Sequence, residues 1–228
     1  MPEPAVPRGE RSLTLVGAAD RTDLAAFLTR ALRLDEAAVV RLRRRGDGLV
    51  GAWVQTGFDA LAVRSVRGTV DPADTSVAVD ALRAALVAAT GDPIEVDPGW
   101  AMDSAWRGAL PPDDGYTHVD DVPARVLIDL AHRGVTLTRD QGAQRPPSSL
   151  LAQEVLEVSG DGTTVGVPMR MVFALGAMGF VPVAGPGDGE VPDGELVRVR
   201  ATATWLRLDA RFGSVCLRRG DGLGLSVL

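Results

Sequence analysis

Neither lysine nor asparagine occurs among the 228 residues, so all 24 basic side chains are arginine. The missing lysine removes Schiff-base catalysis, the phosphate-binding P-loop, the Ser-x-x-Lys acyl-transfer motif and the kinase strand lysine. The missing asparagine removes Cys-His-Asn triads. A GC-rich genome, as in actinobacteria, biases codons in this direction. The single cysteine, Cys216, has no partner for an intramolecular disulfide, and no run of about eighteen apolar residues spans a bilayer. Residues 1–11 form a Pro-rich, charged leader without the apolar stretch of a signal peptide, so a cytoplasmic protein is expected. Also absent are Cys-x-x-Cys, His-Glu-x-x-His, Gly-x-Gly-x-x-Gly, the Gly-x-Ser-x-Gly elbow and an acidic calcium loop.

What is present is ordinary for a folded chain: 46% hydrophobic residues against 24% charged. A net charge of −6 repels phosphate backbones and anionic lipid, so nucleic-acid and membrane partners are both expected to be absent.

Alternation over Ser12 to Gly17 predicts a strand, and Asp20 or Thr22 can cap a helix reaching about Leu34 with Leu24, Phe27, Leu28 and Ala31 on its buried stripe. Strand-like runs at 38–45, 49–56 and 60–67, joined by Gly46-Asp47-Gly48 and Gly57-Phe58-Asp59, predict an antiparallel meander. Val79, Leu82, Leu86 and Ala89 predict a helix over 74–89 covering one face of it. Prolines then interrupt a linker at 93–120, in which Trp100 and Trp106 supply buried surface.

Asp121-Val122-Pro123 reads as the start of a helix that Gly134 stops. Strands are expected at 152–158 and 163–167, and a wholly apolar helix, broken only by Arg170, at 169–178. The Gly- and Pro-rich loop 184–195 reads as mobile, and strand-like runs at 196–208, 212–219 and 223–228 end the chain. A helix-turn-helix over 122–140 fails because 135–138 reads as strand.

The expected fold class is α+β, with antiparallel meander sheets packed by helices in two lobes. Residues 1–11 are a leader, 12–92 an N-terminal lobe, 93–120 a linker and 121–228 a C-terminal lobe. Leu42 to Leu49 matches Leu217 to Leu223 around a Gly-Asp-Gly turn, and helix, strand, strand, strand recurs in both halves, as a duplicated unit would leave it. The same tight turn occurs four times in this glycine-rich chain, which leaves the same trace without duplication. In element order alone, the first half resembles the opening of the secretion-chaperone-like fold of small binding proteins.

Arg170, in the first turn of the apolar helix, can anchor a carboxylate or phosphate, or pair internally with Glu154 or Glu157. Met169, Met171 and Met178 on that helix suit either a groove for an apolar partner or plain core filling. Arg41, Arg43 and Arg45 share one face of a strand, as a solvated strip or a contact for an acidic partner. His118 and Asp120 are two positions apart and are weak metal candidates beside the reading of a solvated loop with Asp121 as cap. His132 suits a helix end. Cys216 is a small core residue or a thiol activated by Arg218.

No catalytic residue, metal or cofactor is assigned. The expected function is a non-enzymatic binding or adaptor protein with a protein partner or self-association. The alternative is a small-molecule-binding protein or an enzyme acting on an anionic ligand held by Arg170.

Overall fold

The computed structural model describes residues 11–140, 142–183 and 190–220. It has the mixed helix and antiparallel-sheet architecture in two lobes that the sequence predicts. One unit comprises Met1–Gln55 and Val63–Gly108, the other Thr56–Ala62 and Ala109–Leu228.

The first unit contains β1 (Ser12–Leu15), α1 (Ala18–Leu34), β2 (Val39–Arg44), β3 (Leu49–Gln55), β4 (Leu61–Asp71), β5 (Asp74–Ala78), α2 (Val79–Ala88) and β6 (Ile94–Val96). The meander is present: β2 pairs antiparallel with β3, which lies beside β4. Gly48 takes the left-handed φ of 73° that its turn requires. Leu24, Phe27 and Leu28 of α1 and Leu82 and Leu86 of α2 are buried. The buried Asp20 carboxylate accepts the backbone N–H of Arg67 at 2.9 Å and its guanidinium at 3.1 Å, tying α1 to β4.

Three expectations are corrected here. Helix α1 begins at Ala18, one turn before Thr22, with Gly17 as N-cap. Residues 74–78 are strand, because Thr75 and Val77 are β-branched and pair with β2; the helical spacing starts only at Val79. Within 93–108, β6 pairs with β1, and Asp103 in a short 3-10 turn accepts the Ser76 N–H at 2.6 Å while Met102 N–H donates to the Ser76 carbonyl. This closes the outer edge of β5 with side-chain and loop hydrogen bonds. Trp106 is half-buried, but Trp100 is 90% exposed, at a turn where Asp97 accepts the Gly99 N–H.

The second unit contains β7 (Thr117–Pro123), α3 (Ala124–Asp140), α4 (Ser148–Ala152), β8 (Glu154–Gly160), β9 (Thr163–Pro168), α5 (Met169–Ala177), β10 (Leu196–Ala201), β11 (Trp205–Ala210) and β12 (Gly213–Arg218). Strands run antiparallel in the order β7-β10-β11-β12, and β8-β9 form a separate hairpin.

Residues 117–123 are strand rather than a helix start, and Asp121 lies opposite Arg198 instead of capping α3. The helix then runs straight through Gly134. A Cβ there would lie 2.6 Å from Phe173 Cζ, so glycine serves close helix packing, not termination. Residues 135–138 are therefore helical, and the helix-turn-helix is excluded by an unbroken α3 rather than by a strand. The run 196–208 is split at Thr202, whose hydroxyl accepts the N–H groups of Thr204 and Trp205. The apolar helix is found as α5, followed by Gly179 at φ 58°. The mobile loop is expected on residues of which 184–189 lie outside the described ones, as do the terminal run 223–228 and most of the second Leu-Arg-Arg repeat turn.

Candidate functional site

In the second unit, α3 presents Ile128, Ala131, His132 and Val135 at i, i+3, i+4 and i+7, one face of a helix. Toward it α5 turns Phe173, Gly176 and Ala177, at i, i+3 and i+4. The two helices approach closely because Gly134 leaves room for the Phe173 ring. At Gly176, where an added Cβ would meet only the Ala131 methyl at 3.8 Å, the space between them stays open. The result is a pocket of about 390 Å³, walled by the aromatic and branched residues, by Phe58 and by Pro146 and Val183.

The Phe58 wall comes from residues 56–62. Its ring packs on Phe173 with centroids 5.7 Å apart, tilted by 31°. Asp59, at φ 58°, ion-pairs with Arg170 at 3.3 Å, and Arg170 Nε also donates to the Leu151 carbonyl at 3.3 Å. Arg170 thus latches this segment. It is not on the pocket lining, and its ion-pair partner is Asp59, not Glu154 or Glu157.

Met169, Met171 and Met178 are all buried, so they pack the interior rather than open a groove. Arg41 is joined to Asp74 by two 2.7 Å hydrogen bonds in the first unit, with Arg43 opposite Gly51 and Asp74 on the same strip and Arg45 beyond the end of β2. His118 lies 3.8 Å from Asp121, and Asp120 accepts the Asp121 N–H; among the described residues no group of three His, Cys, Asp or Glu side chains converges as metal ligands. His132 belongs to the pocket.

Cys216 is fully buried on β12, and burial pushes its thiol up to about 12, against the lowering by Arg207, the residue paired with it on β11. Arg207 in turn lies over the Tyr116 ring at 5.5 Å and donates to Asp209 at 2.6 Å. Burial also raises the Tyr116 hydroxyl well above its ordinary range. These groups are held in their neutral or paired forms, which suits structure rather than reactivity.

Sequence reasoning missed the pocket. Its floor is defined by small residues, and one wall comes from a turn far away in sequence. The one signal the sequence carries is the presence of small residues, Ala131 and Gly134 on one helix and Gly176 and Ala177 on the other.

Residues 8–108 match the model of a domain of unknown function, DUF8010, and residues 111–222 that of a second, DUF8185. Among curated proteins nothing matches. The fold is similar to solved sliding clamps. A beta sliding clamp of C. crescentus, with polyethylene glycol at a proposed beta-motif tethering region, aligns with TM-score 0.56 at 14% identity over 95% of this chain and 66% of that one. The DNA polymerase sliding clamp of Bacillus subtilis gives 0.57 at 13% over 94% and 66%. The clamp of Bartonella birtlesii, a DNA polymerase III beta subunit bound to griselimycin, gives 0.51 at 15% over 92% and 65%.

The chain thus spans just under two thirds of the clamps it resembles. This likeness corrects the expectation that nucleic acid is no partner. That expectation rested on a net charge of −6, and a total charge does not decide a partner when chains named as DNA polymerase clamps share the fold. Among the described residues, no helix is long and apolar enough to cross a membrane.

Proposed function

We propose that the chain is a non-enzymatic, cytoplasmic scaffold that binds protein partners on a sliding-clamp-like fold. The supporting observation is the extent of the likeness, TM-scores of 0.56 and 0.57 over 95% and 94% of the chain. The burial of Cys216 and the pairing of Arg170 with Asp59 agree with it. Trp100 offers such a partner a large anchor: it is 90% exposed on a loop fixed by the hydrogen bonds of Asp97, Met102 and Asp103.

A second reading, association with DNA, is favoured by the similarity to DNA polymerase clamps. One experiment separates the two. The tagged chain is purified from its native host with and without nuclease and weighed by native mass spectrometry. Protein partners that survive nuclease and weaken with Trp100→Ser support the scaffold. Loss of all partners on nuclease treatment supports the DNA reading, and a bare monomer under both conditions counts against both.

A further inference from the structure

We propose that the α3–α5 pocket is a binding site for a small, uncharged molecule built on one or two aromatic rings. This goes beyond the scaffold reading and does not depend on it.

Three observations carry the inference. The first is size: an apolar cavity of about 150 Å³ holds benzene, and this one measures about 390 Å³, room for a bicyclic ring system. Known ligand sites begin at about 300 Å³ and are lined mainly by apolar side chains with a few polar groups. The second is enclosure. Five separate pieces of chain contribute walls: α3, α5, the 56–62 segment, Pro146 and Val183. An opening remains where Ala177 and Val135 are exposed.

The third is charge. Among the described residues, His132 is the only titratable side chain on the lining, and Arg170 is already engaged with Asp59 and the Leu151 carbonyl. A charged ligand would lose hydration here among mostly apolar walls, with no permanently charged side chain on the described lining, whereas an uncharged ring removes its own apolar surface and that of Phe58, Phe173 and Ile128 from water. The anionic ligand expected from Arg170 is therefore replaced by a neutral one held by the neighbouring hollow.

The test uses the full chain. Naphthalene is the neutral probe and 1-naphthoate its charged counterpart, each followed through the methyl NMR signals of Ile128, Val135 and Val183. Saturable naphthalene shifts confined to these methyls are expected, with 1-naphthoate at least tenfold weaker. Ala177→Phe fills the mouth and should weaken naphthalene at least tenfold. Gly176→Ala is a second, milder filling, since its new methyl meets only the Ala131 methyl at 3.8 Å; it should weaken binding severalfold and keeps the test decisive should the first variant misfold.

Val87→Ser, at an exposed position of α2 in the other unit, should bind as the parent does. No shift up to the solubility of naphthalene, equal affinity for 1-naphthoate, or undiminished binding in both folded filling variants overturns the proposal. Failure of the scaffold reading would show instead in the partner profile and leave these shifts untouched.

Discussion

Cys216 shows how one side chain is decided by competing magnitudes. An arginine beside a thiol lowers its pKa, while burial raises it, and full burial wins: the thiol moves from 9.0 to about 12. Since only the thiolate alkylates, iodoacetamide at pH 8 should leave the folded protein unmodified and label it fully once denatured, as read by intact mass. The linkage follows in sign. The folded state holds this proton more tightly than the unfolded chain, so the contribution is fully present below about pH 9 and is lost as pH rises toward about 12. Cys216→Ala should flatten that alkaline loss in melts taken between pH 8 and 11.

Asp20 is a buried carboxylate held by hydrogen bonds from both the backbone and the side chain of Arg67. Asp20→Ala strands the Arg67 N–H and should cost about 1–3 kcal/mol in urea denaturation. That α1 would bury Leu24, Phe27 and Leu28 could be read from spacing. That Asp20 would turn inward could not, since its partner lies 47 positions away.

At the scale of elements, the pattern was legible wherever apolar spacing was uninterrupted, as in the β2–β4 meander and in α5. It misled at Gly134, where glycine looked like punctuation and is a packing residue. The difference can be measured. Alanine at 134 gains roughly 1 kcal/mol of helix propensity, but its methyl would press on Phe173 at 2.6 Å, and overpacking of this kind costs about 1–3 kcal/mol. Gly134→Ala should therefore lower the melting temperature despite the better helix former. A rise would mean that the ring yields freely and that the helix contact does not depend on glycine.

The segment 74–78 misled for a different reason. Five residues of strand directly before a helix carry too few positions for a period of two to stand out, and pairing with β2 decides their state. The pocket was illegible because neither helix contains it. It exists only where a face of α3 meets Gly176 and Ala177 of α5 beside a phenylalanine distant in sequence.

For the whole molecule, the decisive fact is that the second unit takes residues 56–62 from within the sequence span of the first. The boundary read from composition placed a linker between two consecutive halves, and a chain order of that kind cannot reveal a segment exchanged between them. Cutting the chain at residue 109 would therefore give a second unit without Phe58 and Asp59. In such a fragment Phe173 loses its ring partner and Arg170 its carboxylate. A half-buried aromatic contact is worth about 2 kcal/mol, and the ion pair, with Asp59 82% exposed, adds less than about 1 kcal/mol. In the full chain, Phe58→Ala should thus destabilise the second unit more than Asp59→Ala does. Fragment 109–228 should be less stable than either variant and should enhance the fluorescence of an apolar dye more than the intact chain does. Equal melting curves for the fragment and for this unit in the intact protein would show that residues 56–62 merely rest against α5, and the Phe58 wall would then be incidental to the pocket.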